Sequence, residues 1–121
     1  MNHMTNYLKD KLLGASLRGV PFTSPTTVYV ALFNGETEVS KVSYQRQLGV
    51  FADTSNGQTS NNTDILFPIA TESWGAITHI GIFDQLEGGN MLFLCPAEFT
   101  KTIDVSSQYK VPKNYLIIRL R

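Results

Sequence analysis

The sequence predicts a mainly β fold, a single antiparallel β-sandwich or jelly-roll-like domain preceded by a short N-terminal α-helix. About seven short apolar or alternating segments recur along the chain, which is typical of such folds. Gly, Asn, Ser and Pro separate them, as turns require. Only the first residues show helical spacing, and 121 residues suit one domain. We therefore expect a helix and lead-in over residues 1–18 and one β-sandwich unit over residues 19–121.

The N-terminal helix is predicted from apolar residues three or four positions apart, namely Met4, Tyr7, Leu8 and Leu12. Thr5 or Asn2 can cap its start, and Gly14 can end it. An isolated helix this short is marginal in water, so its apolar face must be buried. The helix packs either on the sandwich of its own chain or on a neighbouring subunit. In the second case it contributes an assembly interface made of Met4, Leu8 and Leu12.

Strands are predicted where apolar residues alternate or run together. In Thr26–Phe33 both faces are apolar, which indicates a strand covered on both sides, and the strong turn signal Asn34-Gly35 follows it. Pro68 indicates that the strand predicted at Ile65–Ala70 is an edge strand or is bulged. The run from Asp53 to Asp64 has no apolar residue and is expected to form a solvated loop or a long turn. The other predicted strands are Tyr44–Ala52, Ile77–Phe83, Met91–Leu94 and the two segments EFTKTIDV and YLIIRL.

Composition excludes several classes of function. Ten basic and ten acidic residues give no net formal charge, whereas a nucleic-acid-binding protein normally concentrates Lys and Arg. No apolar run is long enough to insert into a membrane, and Lys9, Asp10 and Lys11 interrupt the segment where a signal peptide would need its apolar core. Cys95 is the only cysteine, so no internal disulfide forms, and its apolar neighbours predict a core position.

The segment from Ile77 to Pro96 contains the residues that most resemble a reactive site. On a strand, however, His79 and Asp84 point to opposite faces, and Glu87 lies beyond the strand in a Gly-rich loop. Because catalysis needs geometry before residue type, the segment indicates a hairpin, and a small hydrolase built on these three residues is the weakest alternative. No metal or cofactor site is predicted, since no His or Cys falls at zinc-ligand spacing.

Aromatic residues supply the candidates for surface recognition. Trp74, before Gly75, is the candidate surface-recognition aromatic, able to stack on a sugar or bury into a partner. The alternative is a Trp that closes one end of the core, because its neighbours include apolar residues. Tyr29 and Tyr44 are further candidate platforms for stacking on a glycan. Arg46 is expected to pair with a carboxylate such as Asp84.

Several segments together carry a resemblance to a known family, namely NYLKDKLL, PTTVYVALFNGETEVS, YQRQLGVF, the long segment from DILFPIATESWG to GGNMLF, KTIDV and YLIIRL. The most specific parts are Tyr44-x-Arg46-Gln47, Trp74-Gly75, and the segment from Thr78-His79 through Asp84 to Gly88-Gly89-Asn90. From about Asn6 to Leu120 the chain resembles small structural proteins of tailed phages that are usually labelled phage tail fibre proteins. It departs from many relatives in a shorter stretch between Phe33 and Tyr44.

The resemblance implies a non-enzymatic structural protein of a tailed-phage virion, a tail fibre or tail-tip component that acts through protein–protein assembly. It implies no catalytic residue and no cofactor. The partners are other virion proteins, with a homo-oligomer held by symmetric contacts. The alternatives are a capsid decoration (cement) protein and a module that binds a host surface glycan or receptor. In each case the protein is expected in the virion, after synthesis in the host cytoplasm.

Overall fold

A computed structural model describes residues 3–120 of the chain, except for the side chain of Glu98. The elements of this described part are, in chain order, β1 (His3–Met4), α1 (Asn6–Leu17), β2 (Val28–Asn34), β3 (Thr37–Glu38), β4 (Gln47–Gly49), β5 (Gln58–Ser60), β6 (Ile65–Leu66), β7 (Gly75–Phe83), β8 (Met91–Ile103), β9 (Lys110–Val111) and β10 (Ile117–Arg119). The prediction of a mainly β, antiparallel fold with one short N-terminal helix is confirmed.

The largest sheet joins its strands in the order β1-β8-β7-β2-β3, and β4 also pairs with β2. All of these pairings are antiparallel. Side chains alternate between the two faces of β2, because successive residues of a strand point in opposite directions. Val30 and Leu32 enter the main core, whereas Ala31 and Phe33 form a second apolar cluster with Phe83 on the other face. The expectation that both faces of this strand are covered is therefore confirmed.

Two smaller antiparallel sheets, β5 with β10 and β6 with β9, complete the sandwich. A bridge between Phe51 and Asn61 connects the β4 region to the β5 region, so the chain continues from the large sheet into a small one. One buried cluster combines side chains of all three sheets and of the helix, including Leu8, Val30, Leu32, Ile65, Ile80, Ile82, Val111 and Ile118. The core therefore lies between the large sheet and the smaller ones.

Thr5 caps the start of α1, and its hydroxyl oxygen accepts a hydrogen bond from the Leu8 N–H at 3.4 Å. Asn2, the other predicted cap, lies outside the described residues. The predicted end at Gly14 is wrong, because the helix continues to Leu17 and stops before Gly19, which has φ +67°. A left-handed conformation at this position ends a helix and suits glycine, whereas helical backbone passes through Gly14.

The segments Met91–Leu94 and EFTKTIDV were expected to be separate strands but form one strand, β8. A bulge interrupts it: Pro96 pairs with His79 and Lys101 with Ile77, so residues 97–100 stand opposite Thr78 alone. Proline lacks a backbone N–H and is tolerated at such an interruption of the ladder. The bulge carries Phe99, which is 73% exposed.

The polar run from Asp53 to Asp64 is not only a loop. It contains β5, whose residues pair with Ile117–Arg119 through the backbone. Polar side chains do not prevent pairing here, because the ladder uses backbone groups. Conversely, the strand expected over Tyr44–Ala52 is regular only over Gln47–Gly49.

Candidate functional site

Arg46 lies in a polar cluster where three parts of the chain meet. Its Nε and Nη2 each donate to a different carboxylate oxygen of Glu38, both at 2.8 Å. Its Nη1 donates to the carbonyl oxygens of Gln85, at 2.9 Å, and Gly88, at 2.8 Å. The guanidinium carbon lies 3.6 Å from the centroid of the Phe83 ring. These five residues, here called the arginine clamp, join β3, the segment before β4 and the loop between β7 and β8.

The β2–β3 hairpin places Glu38 in the clamp. Asn34 pairs with Thr37, so Gly35 and Glu36 form a two-residue turn, and Gly35 has φ +64°. The same register sets Glu38 opposite Phe33, whose ring stacks on that of Phe83 with centroids 6.1 Å apart. Glu38 thereby reaches the Arg46 side chain. The prediction that Arg46 pairs with a carboxylate is confirmed, but the partner is Glu38 and not the suggested Asp84.

Asp84 closes the loop between β7 and β8. Its Oδ1 accepts a hydrogen bond from the Asn90 N–H at 2.8 Å, and its Oδ2 accepts one from the Asn90 side-chain amide at 3.3 Å. Gly88 and Gly89 have φ of +64° and +72°, in the left-handed region that favours glycine. A Cβ on Gly89 would lie 2.5 Å from Asp84 Oδ1. The double glycine therefore allows the loop to fold back onto its own start, where Arg46 holds its carbonyls.

Tyr44 connects the clamp to the core. Its hydroxyl donates to Glu38 Oε2 at 2.7 Å and accepts from the Leu32 N–H at 3.0 Å. Burial, together with the hydrogen bond to Glu38, raises the pKa of Tyr44. Burial alone would raise the pKa of Glu38, but the hydrogen bonds from Arg46 and Tyr44 outweigh it and lower that pKa. At neutral pH Glu38 is thus ionised and Tyr44 is protonated, so neither is poised to exchange a proton.

Trp74 closes part of the core and is 3% exposed. Its indole N–H donates to the Ser43 hydroxyl at 3.0 Å, and its ring meets that of Tyr44 edge to face at 5.5 Å. The Tyr44 ring also stacks on Phe67, with centroids 6.2 Å apart. The burial of Trp74 argues against its predicted role in surface recognition. Tyr44 is half-buried and lines a groove beside Arg46, so its role as a stacking platform stays a prediction. Tyr29 is half-buried on β2.

The three residues of the hydrolase hypothesis have different partners. His79 Nδ1 lies 2.8 Å from the hydroxyl of the adjacent Thr78, whereas Asp84 bonds Asn90. Glu87 lines a groove beside Arg46. Cys95 is buried, and burial raises the pKa of its thiol to about 12, which disfavours the nucleophilic thiolate. The geometry therefore supplies no paired nucleophile and base at these positions.

The predicted interface residues of the helix pack on their own chain. Leu8 is buried in the core, and Met4 and Leu12 pack against it. This is the first of the two arrangements expected for the helix, packing on its own chain. Leu13 and Leu17, by contrast, are 56% and 78% exposed. Whether Met4, Leu8 or Leu12 also contacts another subunit stays a prediction.

Sequence reasoning missed two polar residues with central structural roles, Glu38 and Asn61. Asn61 is fully buried, and its side-chain amide donates to the carbonyls of Thr63 and Pro112, each at 2.8 Å. Its Oδ1 accepts from the Leu116 N–H at 2.9 Å. Asn61-Asn62-Thr63 matches the Asn-x-Thr glycosylation motif, but the Asn61 side chain is fully used inside the protein. A polar residue in an otherwise polar run gives no signal of such burial.

The part of the chain that the structure describes has neither a candidate metal site nor a helix that could span a membrane. Within residues 3–120, no three or more His, Cys, Asp or Glu side chains are grouped so that they could hold a metal ion. In the same range, no helix has the length and apolar character needed to span a bilayer.

Comparison with known families identifies the chain's relationship. The model of a family described as podophage GP4 fiber I protein gp80 matches residues 3–119. The chain belongs to this family. Membership in the Gp80 family confirms the resemblance to phage tail fibre proteins, and it gives the chain the role of a phage fibre-type structural protein. A search of the curated proteins finds no significant match.

The segments that carried the resemblance are the ones that build the arginine clamp and its surroundings. Arg46 makes the ion pair with Glu38, and Tyr44 links it to the core. Asp84 and Asn90 close the loop whose carbonyls Arg46 binds. In this member of the Gp80 family these residues therefore hold the fold together, and their polar groups are engaged within the chain.

Proposed function

We propose that this chain is a structural subunit of a tailed-phage virion, located in the tail fibre or at the tail tip. It acts through protein–protein assembly, in several copies with symmetric contacts, and performs no chemical step. It is made in the host cytoplasm and then built into the particle. The observation that carries the proposal is the family match over residues 3–119.

The geometry of the polar residues supports a structural role. Arg46 and Asn61 have side chains of the kind that bind ligands, yet each makes several hydrogen bonds inside the chain. A rigid scaffold with satisfied polar groups suits a part that must keep its shape within an assembly. A balanced charge supports partners that are proteins and not nucleic acid.

The exposed part of α1 is the surface we propose for assembly. The residues predicted from the sequence, Met4, Leu8 and Leu12, already pack on the chain's own core, so contact with a neighbour falls to Leu13 and Leu17. Large exposed apolar side chains on one helix gain free energy when a partner covers them.

Replacing Leu13 and Leu17 together by Glu tests this surface, with sedimentation velocity as the measurement. We expect the double variant to lose the oligomer that the unchanged chain forms. Val42→Glu is the matched control, since Val42 is 96% exposed and lies outside the helix. Unchanged assembly of the double variant, or a monomeric unchanged chain, would contradict helix-mediated assembly.

Position in the particle is tested by antibody labelling of purified virions, imaged by electron microscopy. The proposal expects label at the tail. Label spread over the capsid would instead support the second candidate function, capsid decoration, in which the same compact sandwich would stabilise the shell.

A further inference from the structure

A cleft of about 270 Å³ lies between the start of α1, the segment that leads into β2 and the loop after β7. It is distinct from the arginine clamp, although the two share the β7–β8 loop. Its lining includes two aromatic rings, a proline, four hydroxyl side chains, a carboxylate and an amide: Tyr7, Phe22, Pro25, Thr23, Ser24, Thr26, Thr27, Asp84 and Gln85.

The lining combines the two kinds of group that a sugar ring needs. Flat aromatic rings cover the C–H face of a pyranose, and Phe22 and Tyr7 are both only partly buried. Tyr7 and Phe22 are both packed partly against the core, and Lys11 Nζ lies 5.8 Å from the centroid of the Tyr7 ring, so we take Phe22 as the stacking platform. Hydroxyl side chains can both donate and accept hydrogen bonds, which matches the mixed character of sugar hydroxyls.

Asp84 supplies a fixed acceptor. An ionised carboxylate has about four acceptor positions, and the two hydrogen bonds from Asn90 leave some of them for a ligand. Those bonds also hold the carboxylate in place, while Arg46 holds the neighbouring Gln85 carbonyl. A group already fixed by the protein loses little freedom on binding, which favours affinity.

The charge of the lining discriminates between classes of sugar. Asp84 is the only lining residue with a formal charge. A fixed negative charge accepts hydrogen bonds from hydroxyls but repels another carboxylate. We propose that this cleft binds a neutral saccharide through stacking on Phe22 and hydrogen bonds to Asp84 and the flanking hydroxyls. The inference rests on the proposed function in one respect, because a fibre subunit is the part of a virion that meets surface sugars.

The test is a titration of the full ¹⁵N-labelled chain by nuclear magnetic resonance. The probes are the neutral sugars glucose, galactose, rhamnose and N-acetylglucosamine, with N-acetylneuraminic acid as the acidic comparator. We expect at least one neutral sugar to cause saturable shifts of amides at residues 22–27 and 84–85, with a Kd on the order of millimolar. The acidic sugar should cause no such shifts at equal concentration.

Variants make the test specific. Phe22→Leu retains an apolar side chain but removes the flat ring, and we expect it to weaken binding about fivefold. Phe99→Leu is the matched control, because Phe99 is exposed on the β8 bulge and does not line the cleft. The dispersion of each variant's spectrum reports whether it is folded. Gln85→Ala removes the side-chain amide and leaves the Arg46 contact to the Gln85 carbonyl in place. In the same titration we expect this variant, once shown to be folded, to bind the sugar more weakly.

Three results would overturn the inference: no saturable shift at the cleft up to about 50 mM of any neutral sugar, saturable shifts confined to another surface, or equal binding of the acidic sugar. None of these bears on where the chain sits in the virion, since the titration uses the isolated protein. A capsid location with a sugar-binding cleft would refute the proposed function and leave the cleft standing.

Discussion

Removing the Arg46 side chain should destabilise the fold strongly. Arg46→Ala deletes four hydrogen bonds and leaves Glu38 without its ion-pair partner. Breaking a buried ion pair by deleting one partner typically costs about 3–5 kcal/mol. The side chains of Arg46 and Glu38 are 8% and 25% exposed, so water partly relieves the orphaned carboxylate. We therefore expect the lower end of the range, a loss of about 3 kcal/mol.

Urea unfolding followed by tryptophan fluorescence measures this loss. Trp74 is the only tryptophan in the sequence and is buried, so its emission reports unfolding of the core. A loss of about 3 kcal/mol corresponds to a melting temperature lower by roughly 12 °C for a domain of this size. Arg46→Lys keeps the positive charge but not the planar fork, and should lose about half as much.

A double-mutant cycle separates the ion pair from the other contacts of Arg46. Arg46→Met removes the positive charge of the ion pair, Glu38→Gln removes the negative charge, and the double variant removes both. Because the double variant leaves no unpaired charge, its loss should be smaller than the sum of the single losses by about 1–2 kcal/mol. An Arg46→Ala loss below about 1 kcal/mol, the value for an exposed pair, would refute the argument for the clamp.

The clamp also predicts a dependence of stability on pH. The folded pKa of Glu38 lies below its ordinary value of 4.5, so the folded state releases this proton more readily than the unfolded state. The contribution of Glu38 is therefore complete above pH 4.5 and is lost as pH falls through the folded pKa. The free energy of unfolding should fall less steeply below pH 4.5 in Glu38→Gln than in the unchanged chain. Parallel curves would show that Glu38 is not held in the ion pair.

Three further predictions concern other parts of the fold. Gly89→Ala should cost more stability than Gly88→Ala, because both positions have positive φ but only a Cβ at Gly89 would meet Asp84. By calorimetry we expect a loss of about 1 kcal/mol for Gly88→Ala and a larger loss for Gly89→Ala. Equal losses would contradict the close approach of Gly89 to Asp84. Asn61→Ala should lower the free energy of unfolding in urea by about 3 kcal/mol, because three backbone groups lose their partner. Asn62→Ala, at an exposed position, should change it by no more than about 0.5 kcal/mol. A small loss for Asn61→Ala would rule out the buried network. The Cys95 thiol should react with a disulfide reagent roughly a hundredfold more slowly in the folded protein than in urea, because burial raises its pKa to about 12. Similar rates in the two states would show that Cys95 is accessible in the folded protein.

Patterns within a strand were readable from the sequence. The alternation in Thr26–Phe33 correctly predicted a strand with two covered faces, because each side chain's face follows from its position alone. Asn34-Gly35 correctly marked a hairpin, although the two turn residues are Gly35 and Glu36, and Thr5 correctly marked the start of the helix. These features depend on residues that are neighbours in sequence.

Features that depend on pairing between distant segments were not readable in the same way. The partner of Arg46 is set by the register of the β2–β3 hairpin, which brings Glu38 and not Asp84 to the guanidinium. The strand β5 forms in a polar run because Ile117–Arg119 supplies backbone partners for it. The cleft between α1 and the β7–β8 loop arises where three separate segments of the chain meet, and no one of them shows from its own sequence that the others lie beside it.

Cryo-electron microscopy of purified virions tests the central claim most directly, that this member of the Gp80 family is a fibre subunit. We expect the β-sandwich, with α1 packed on its core, to fit repeated density in the tail fibre or tail tip. A fit to density on the capsid surface would contradict this claim. So would the absence of density for this domain from the whole particle, in reconstructions calculated both with and without imposed symmetry.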